Sequence, residues 1–577
     1  MKVCDYIVEF LADKGVDTVF SIPGGGCIFL SDAFAREERI EMVANHHEQG
    51  CSLSAEGYAR SKNDLGVCLV TSGPGCSNAW TGTLCSYQDS VPVFVISGNV
   101  NRNMTTNYTG LTNLRQLGDQ EFNVVETVSN FTKYAVQVND PEDIRYHLER
   151  AYHEAKSGRP GPVWLDIPLD VSTSKVSPSG LKSYNPEQLV EKNFDISEII
   201  SKLKISKKPV IVIGNGVRLS NSVEALGKFL RKHKIPVVTS LNGKDNVDNS
   251  YEYNTGMFGV LGNISANKLL QESDCVLSIG SRLYVRQIGY NFEGFAKNAF
   301  KIYVDIDAAE LSKPTINPDI KVNLDAKEFL NLLTQESFNL DIHQWQQTCK
   351  KYIEKFPNVL DRHRNKNPIN IYGAMEKLNK YMSERITVVT SNGSANVVAM
   401  QVLKLSENQR MFTNKATAPM GYGLPAAIGS CYADRSKKVI CLDGDGSVHM
   451  NIQELQVLKQ NNLPIKLIIF NNNGYLSIKM TQTNYCEGKL SLSTPSSGLT
   501  LPEYKKIAYA YGIKYHSANS EEQMNEVFDQ VFLGDYEGPE IVEVFVDPNG
   551  IHEPKVKASL DENGKFIPGK LEDISWE

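Results

Sequence analysis

The stretch Gly444-Asp445-Gly446-Ser447, followed 27 residues after Asp445 by Asn472, carries the strongest signal in the sequence. Apolar runs at Lys437–Leu442 and Ile465–Phe470 precede the two polar clusters and are predicted strands. Ligands of open α/β sheets bind where parallel strands end. An aspartate, an asparagine and a nearby backbone carbonyl are hard oxygen donors, which Mg²⁺ combines with phosphate and water. The stretch therefore predicts a metal–phosphate site at a sheet edge.

The segment between the two clusters is predicted to be a helix from Asn451 to Gln460. The free N–H groups at its N-terminus would point at the same phosphates. A lone Gly-Asp-Gly is usually a plain turn, and the spacing and the two framing strands make this one specific.

Composition narrows the class of protein. The chain has 577 residues, a net charge of −7 and a pI of about 5.9, which predicts a multidomain acidic enzyme with no nucleic-acid partner. Its 11 cysteines form no CxxC pair, as expected for reduced thiols in the cytoplasm. Acids at Asp5 and Glu9 argue against a signal peptide, and no apolar run reaches the ~18 residues of a membrane span.

Short β-branched runs alternate with helix-length segments in three successive blocks. This pattern predicts an α/β fold of three parallel-sheet domains with crossover helices. Proline-containing polar stretches at Ser172–Asn185 and Asn365–Asn370 are the predicted boundaries. The expected domains are residues 1–175, 186–345 and 366–550, with a polar tail or lid at 551–577. The predicted strands are Thr18–Ile22, Glu41–Ala44, Val67–Thr71, Val91–Ser97, Pro209–Ile213, Pro236–Ser240, Cys275–Ile279, Lys301–Val304, Thr387–Thr390, Val439–Leu442, Lys466–Phe470 and Ile541–Val546.

The Asp445–Asn472 pattern closely resembles the metal–diphosphate motif of thiamine diphosphate (ThDP) enzymes. ThDP reacts through its thiazolium C2 carbanion, and the protein orients and polarises the cofactor. Such a site needs a clamp on the diphosphate, a prop that keeps the two rings bent, and a carboxylate that activates the aminopyrimidine.

Glu48 is the candidate carboxylate. It follows the predicted strand Glu41–Ala44 and begins a predicted helix that runs through Tyr58. A buried glutamate bonded to a ring nitrogen can favour the imino tautomer, which then takes the C2 proton. The plainer alternative is a glutamate that stabilises the first helical turn, and the metal motif favours catalysis. For the neighbouring His47, a substrate role and a packing or capping role both stay open.

Met420 is the candidate prop. It lies in Pro419-Met420-Gly421-Tyr422-Gly423, where the glycines let the backbone approach a ligand closely. Taken alone, this methionine would be ordinary core filling.

The order of the motifs is similar to that in the acetolactate synthase family. The matching stretches are His47-Glu48-Gln49-Gly50, Thr71-Ser72-Gly73-Pro74-Gly75, Met420–Pro425 and the 444–472 motif, and the resemblance covers about residues 1 to 550. It implies a pyrimidine-binding, a central and a diphosphate-binding domain in that order. It also implies a homodimer or homotetramer with active sites between subunits, and a 2-keto acid and a carbonyl acceptor as substrates.

Site residues follow from this resemblance position by position. It implies Mg²⁺ ligands at Asp445, Asn472 and the Gly474 carbonyl, and catalytic roles for Glu48, Gln120 and Met420. It implies substrate contacts at Gly26, His47 and Arg286. It implies ThDP contacts at Gly25, Gly26, Gly393, Ser394, Ala418 (through its carbonyl), Met420, Gly444, Gly446 and Ser447.

The central block is similar to the FAD-binding domain of the same family. Strand-end glycines, arginine donors and an acid suit a pyrophosphate and a ribose. In that family FAD has no net redox part, and in some relatives this domain is empty or binds another nucleotide. The implied FAD residues are Arg159, Gly214, Gly216, Gly280, Arg282 and Asp305.

Several positions depart from the family pattern on the acceptor side. Leu169 replaces a lysine, Ser394-Ala395 replaces Gln-His, Asp119 replaces a phenylalanine, and the loop at 99–118 is enlarged and polar. These changes are similar to those in acetolactate-synthase-like enzymes of surface-polysaccharide sugar synthesis, one group of which adds a two-carbon unit from pyruvate to a keto-sugar nucleotide. The alternatives are an ordinary acetolactate synthase and, in another class, a non-catalytic regulatory subunit.

Overall fold

A computed structural model describes residues 1–187, 194–382, 385–560, 562 and 566–576. Three sheets of six parallel strands follow one another along the chain, which confirms the predicted fold class. We call each sheet with its helices the first, central and third domain. Residues 188–193 of the expected central domain and residues 561, 563–565 and 577 of the expected tail lie outside the described part of the chain.

The first sheet has the strand order β2-β1-β3-β4-β6-β5. Its strands are β1 (Thr18–Ser21), β2 (Glu41–Ala44), β3 (Gly66–Val70), β4 (Val93–Asn99), β5 (Tyr134–Gln137) and β6 (Val163–Pro168). Its helices are α1 (Val3–Asp13), α2 (Ile28–Arg36), α3 (Glu48–Lys62), α4 (Pro74–Gln88), α5 (Thr106–Thr109), α6 (Val124–Val128), α7 (Ile144–Lys156) and α8 (Leu169–Thr173).

The central sheet has the order β12-β11-β10-β7-β8-β9. Its strands are β7 (Pro209–Ile213), β8 (Val237–Thr239), β9 (Asn254–Met257), β10 (Cys275–Ile279), β11 (Phe300–Val304) and β12 (Ile320–Val322). Its helices are α9 (Ser197–Ile205), α10 (Gly216–Leu219), α11 (Val223–His233), α12 (Ile264–Gln271), α13 (Val285–Ile288), α14 (Ala308–Ser312), α15 (Ala326–Gln335) and α16 (His343–Lys355).

The third sheet has the order β14-β13-β15-β16-β18-β17. Its strands are β13 (Ile386–Thr390), β14 (Arg410–Phe412), β15 (Lys438–Gly444), β16 (Ile465–Asn471), β17 (Lys514–Ala518) and β18 (Glu540–Phe545). Its helices are α17 (Ile371–Leu378), α18 (Ser394–Val402), α19 (Gly423–Ala433), α20 (Asp445–Val448), α21 (Leu455–Gln460), α22 (Leu476–Tyr485), α23 (Tyr504–Tyr511) and α24 (Glu521–Leu533).

The helix predicted from Asn451 to Gln460 begins earlier than the sequence indicated. Helical backbone starts at Asp445, immediately after β15, and is interrupted at Asn451, where φ is −133°. The Asn451 side-chain amide donates to the Gly421 carbonyl at 2.8 Å, which holds the chain in this kink. The free N–H groups that face the sheet edge are therefore those that follow Asp445 itself.

The first and third domains share one continuous apolar core. Helices α3 and α19 lie against each other at its centre, and glycines allow their close approach. A Cβ on Gly429 would lie 1.8 Å from the Ser54 carbonyl oxygen, and one on Gly57 would lie 2.2 Å from that of Ala426. This packing fixes the motif at the start of α3 relative to the loop that precedes α19.

The C-terminal segment packs on the central domain over its described part. The Asn267 amide donates to the Leu571 carbonyl at 3.2 Å, and β19 (Ser559–Leu560) pairs with β20 (Phe566–Ile567) in an antiparallel hairpin. Among the described residues, no helix has the length and apolar character needed to cross a bilayer.

Candidate functional site

The metal motif lies at the carboxyl ends of two adjacent strands. Strand β15 pairs with β16 up to Gly444 and Phe470, so that Asp445 and Asn472 emerge side by side. Asp445 is buried, and its carboxylate oxygens accept from the Gly446 N–H at 2.9 Å and the Gly474 N–H at 3.1 Å. The buried Oδ1 atom of Asn472 has no hydrogen-bond partner within the described part of the chain. A buried acceptor without a donor is costly, and a cation at this point would satisfy it.

Burial raises the pKa of Asp445 to about 6 and that of the preceding Asp443 to about 7. A divalent cation beside Asp445 would favour its ionised form. Among the residues that the structure describes, no group of three or more His, Cys, Asp or Glu side chains is arranged to hold a metal ion by itself. The donor set suits Mg²⁺, whose remaining ligands would come from phosphate and water.

Backbone N–H groups and hydroxyls surround the same edge. Helix α18 starts at Ser394 after Gly393, whose φ of +74° favours glycine. The Ser447 hydroxyl lies 2.7 Å from that of Ser391 and accepts from the Gly421 N–H at 3.0 Å. The Ser394 hydroxyl lies 2.8 Å from Nε2 of the buried His552, in the C-terminal segment.

The loop before α19 is held in place by the first domain. The Asn414 amide donates to Glu56 at 3.0 Å, and the Thr417 hydroxyl donates to Gln88 at 2.8 Å. Ala418 has a φ of +52°, a conformation that is strained for a residue with a Cβ. Its carbonyl accepts from the Asn392 amide at 2.7 Å, which leaves it capacity for a second donor.

A cavity of about 800 Å³ joins these elements. It is lined by Met420, Gly444 to Ser447, Gly393, Ser394, Asn472 and Gly474 from the third domain, by Arg286 from the central domain, and by residues 552 and 555–558 of the C-terminal segment. Of the described residues that line it, none belongs to the first domain.

The first-domain candidates form a second group. Glu48 begins α3 and accepts from the Asn78 amide at 2.9 Å, whereas His47 caps the helix by accepting from the Gln49 N–H at 3.0 Å. The Gly26 N–H donates to the Thr71 hydroxyl at 3.1 Å, and Gly25 stands beside Gly26 in the same 3-10 turn.

Gln120 joins the first-domain group through its backbone. Its φ is +57°, and its carbonyl packs on Gly73, where a Cβ would lie 2.5 Å from that oxygen. The chain thus contains two half-sites, one around Glu48 and one around Asp445.

A further cavity, of about 820 Å³, lies at the strand ends of the central domain. Arg159, Gly216, Gly280, Arg282 and Asp305 line it. Gly214 lies beneath, where a Cβ would meet the Gly280 carbonyl at 1.9 Å. Burial raises the pKa of Asp305 to about 6.

The two arginines of this cavity already have partners. Arg159 contacts Asp307 at 2.8 Å and Glu310 at 2.9 Å, and Arg282 contacts Glu310 at 3.1 Å. A pyrophosphate would have to compete with these two carboxylates for the guanidinium groups.

The sequence analysis missed four residues of the two half-sites. Asn78 lies in the first turns of α4, close behind the Thr71–Gly75 motif, and that position was the available signal. Asn392 immediately precedes Gly393, and Lys415 lies shortly before the Met420 motif, so both were also close to stretches that the sequence analysis singled out. His552 carries no local pattern, because only the chain path brings the C-terminal segment to Ser394.

Family models match all three domains. The C-terminal thiamine pyrophosphate (that is, ThDP) binding domain of thiamine pyrophosphate enzymes matches residues 391–544, their central domain matches 196–333, and their N-terminal thiamine pyrophosphate binding domain matches 1–125. The acetolactate synthase large subunit of Lactococcus lactis subsp. lactis is 33% identical over 559 residues, which cover 96% of this chain and 94% of that protein. The chain belongs to the acetolactate synthase-like family of ThDP enzymes.

Two other relatives are similar in sequence to this chain over most of their length. The acetolactate synthase large subunit of Haemophilus influenzae is 32% identical over 88% of both chains. The chloroplastic acetolactate synthase 3 of Brassica napus is 30% identical over 98% of this chain and 86% of that protein. The family resemblance predicted from the motifs is confirmed, and with it a ThDP-dependent carboligase.

Proposed function

We propose that the protein decarboxylates pyruvate with ThDP and Mg²⁺ and transfers the remaining two-carbon unit to a carbonyl acceptor. The observation that carries this proposal is the buried, partnerless Asn472 Oδ1 beside Asp445 at the strand ends. The names of the relatives support an acetolactate synthase-like reaction. A cytoplasmic location is supported by the eleven cysteines, all of which are free thiols.

When bound, ThDP would supply a carbanion nucleophile and an electron sink for the decarboxylation of a 2-keto acid. Asp445, Asn472 and the Gly474 carbonyl would hold Mg²⁺. The N–H groups that follow Asp445 and Gly393, with the Ser394 and Ser447 hydroxyls, would bind the diphosphate oxygens, with Gly444 allowing their close approach. Met420 would supply the apolar bulk between the rings.

Glu48 would hold and move the proton of the aminopyrimidine. Its Oε2 atom is oriented by the Asn78 amide at 2.9 Å, which leaves the second carboxylate oxygen for a ring nitrogen. We assign Gln120, Gly25, Gly26 and His47 to the same side of the substrate, with His47 acting mainly as a helix cap.

The active site is proposed to form between two subunits. Support comes from the separation of the two half-sites: the cavity around Asp445 has no first-domain lining among the described residues, although it needs a carboxylate for the aminopyrimidine. The exposed loop around Gln120, with Tyr108 and Leu111 exposed by more than 60%, offers apolar surface for a second copy.

The central cavity is proposed to hold FAD. Its volume of about 820 Å³ lies in the range of ligand sites, and glycines line the strand ends where a pyrophosphate would approach. The pairs that Arg159 and Arg282 form with Glu310 would have to open on binding. The visible absorbance spectrum of the purified protein tests this: flavin bands are expected, and nucleotide-free protein would contradict the proposal.

The acceptor is proposed to be bulkier or more polar than a second pyruvate, such as a nucleotide-linked keto-sugar. Support comes from the changes at Leu169 and Asp119 and from the polar 99–118 loop, whose groups would be left unpaired by a wrong acceptor. Arg286 retains a cation for a keto acid, which supports the ordinary acetolactate synthase as the second candidate. Intact Glu48, Asp445 and Asn472 argue against a non-catalytic regulatory subunit.

Product analysis distinguishes these candidates. The enzyme is incubated with pyruvate alone and then with a nucleotide-linked keto-sugar added. We expect slow acetolactate formation that the added acceptor suppresses in favour of a mixed product. Rapid acetolactate formation that no added acceptor reduces would support the ordinary synthase.

A further inference from the structure

Lys415 lies on the loop before α19 with its backbone fixed by the first domain. Its N–H donates to Asp89 Oδ2 at 2.9 Å, and the N–H of Ala416 donates to Asp89 Oδ1 at 3.3 Å. Since the flanking Asn414 is also anchored, the chain has little freedom to swing this lysine away. Its side chain must extend towards the two cavities.

Lys415 is the one residue, among those described, that lines both the 800 Å³ and the 820 Å³ cavities. It therefore lies where the two cavities adjoin, and it shares the first of them with Met420 and the metal motif. Arg286 lines the first of these cavities. The two side chains come from different domains and meet in one space.

Neither cation has an ion pair within the described part of the chain. The Lys415 ammonium donates to the Asn396 amide oxygen at 3.2 Å, a neutral partner. The acid nearest its backbone, Asp89, is occupied by Arg60 at 2.8 Å. Burial, with the charge of Arg286 as a smaller cause, lowers the pKa of Lys415 to about 8. A mostly buried cation beside a second one is unfavourable unless an anion joins them.

Two further lysines belong to the lining of this cavity. Lys555 and Lys557 line it, burial lowers the pKa of His552 to about 4 so that this imidazole is neutral, and Asp445 is the sole carboxylate among the described lining residues. An incoming anion would therefore meet more cationic than anionic side chains in this cavity.

The geometry points to Lys415 as a specificity residue that, together with Arg286, binds an oxyanion of the acceptor in this cavity. This inference rests on the proposed carboligase function and adds the charge of the second substrate. The carboxylate of a keto acid and the phosphate of a nucleotide-linked sugar share this chemistry. The planar guanidinium of Arg286 can donate two parallel hydrogen bonds to a carboxylate or to a phosphate, and the Lys415 ammonium supplies a point charge.

The test compares Lys415→Met, Lys415→Arg and a matched control, Lys244→Met. Like Lys415, Lys244 is a half-buried lysine with a lowered pKa, of about 7, and it donates to the Met400 carbonyl at 2.5 Å but lines neither cavity. Calorimetric titration of the ThDP-loaded enzymes uses two probes, UDP for a phosphate and oxamate for a carboxylate. ThDP affinity, FAD content and CO₂ release from pyruvate are measured in parallel.

We expect Lys415→Met to weaken binding of one probe by about 10- to 100-fold, as for a lost charged hydrogen bond, with largely retained binding in Lys415→Arg. Weaker UDP binding assigns the anion to a phosphate, and weaker oxamate binding assigns it to a carboxylate. Unchanged binding of both probes would overturn the inference. Loss of ThDP or FAD affinity would also overturn it, because Lys415 would then be a cofactor-binding residue.

Failure of the inference and failure of the proposed function give different results. Absence of CO₂ release by the parent enzyme counts against the proposed function alone, because the titrations do not require turnover. Lys244→Met is expected to bind both probes like the parent, and a weakening equal to that of Lys415→Met would show a general effect of buried-lysine loss and overturn the inference.

Discussion

Glu48 is the first residue of helix α3, and one of its two carboxylate oxygens is held by a hydrogen bond from Asn78. The sequence could nominate it because strand, turn and helix follow one another around it, and both the helix start and β2 are confirmed. The partner Asn78 was missed, because the contact joins two helices and its one local signal is a position close behind the Thr71–Gly75 motif. A carboxylate held in this way is suited to proton transfer.

Glu48→Gln is expected to keep the fold and ThDP affinity but to slow exchange of the C2 proton by about 10²–10⁴-fold, because an amide cannot share the proton. Deuterium exchange at C2, followed by NMR on the loaded enzyme, measures this. The exposed Glu38→Gln is the control. Exchange as fast in the variant as in the parent would refute the role of Glu48.

Glu454 is a buried carboxyl at the junction of the first and third domains that the sequence analysis did not single out. It accepts from the Asn45 amide at 2.8 Å and from the His46 N–H at 3.1 Å, immediately before Glu48. Its partners are 408 and 409 residues away in sequence, so no local pattern could reveal it. Burial raises its pKa to about 7.

This raised pKa gives stability a pH dependence of known sign. The folded protein holds the Glu454 proton more tightly than the unfolded chain, whose glutamate has a pKa near 4.5. The protonated Glu454 therefore adds to the free energy of unfolding in full below pH ~4.5, and this stabilisation is lost as the pH rises through about 7. Glu454→Gln should remove this loss, on the order of 3 kcal/mol at about 1.4 kcal/mol per pKa unit. Asn45 Oδ1, which has no described partner, can accept from the new amide.

Urea unfolding at pH 5, 6, 7 and 8 checks the Glu454 prediction. The free energy of unfolding of Glu454→Gln should fall less between pH 5 and pH 8 than that of the parent. Equal slopes in the two proteins would contradict the assigned protonation.

At the scale of elements, central strands were more predictable than edge strands. The central strands Pro209–Ile213 and Cys275–Ile279 have the predicted bounds, as does one edge strand, Glu41–Ala44. Six strands of the three parallel sheets were missed, and five of them, β5, β9, β12, β14 and β17, lie at sheet edges, where short runs weaken the apolar signal. The sixth, β6, contains the buried Asp166 and ends at Pro168, both unusual in a strand interior.

The α3–α19 contact predicts a sensitive glycine. Gly429→Ala should destabilise the protein by about 1–3 kcal/mol, because its Cβ would overlap the Ser54 carbonyl and force the two helices apart. A Cβ on Gly180 meets no atom within 4 Å, so Gly180→Ala is the control, with an effect within about 0.5 kcal/mol. Thermal and urea unfolding measure both variants. Equal stabilities would show that the helices separate without cost.

Across the whole molecule, the first and third sheets have the same strand order, the second-first-third-fourth-sixth-fifth strand of each domain. Glu48 stands at the start of α3, which follows the second strand of the first sheet. The Met420 loop leads into α19, which follows the second strand of the third sheet. This correspondence could not be predicted from the sequence, because it lies in the topology of the sheets and not in a repeated motif. Two half-sites on related scaffolds suit a symmetric pair of subunits that complete each other's sites.

Mixed dimers test this arrangement. Asp445→Ala should lose Mg²⁺-dependent ThDP binding, and Glu48→Gln should be inactive, so each homodimer is silent. Co-expressed with different tags and purified as the hybrid, the two chains should recover about half of the parent activity per dimer, because one of the two sites is intact. A hybrid as inactive as both homodimers would show that each site lies within one chain.

Release of CO₂ from [1-¹³C]pyruvate tests the central claim most directly. We predict that the purified protein releases labelled CO₂ only when ThDP and Mg²⁺ are both present, and that Glu48→Gln and Asp445→Ala do not. Calorimetric confirmation that the parent enzyme binds ThDP accompanies the assay. A parent protein that binds ThDP and Mg²⁺ yet releases no CO₂ from pyruvate would contradict the proposed reaction.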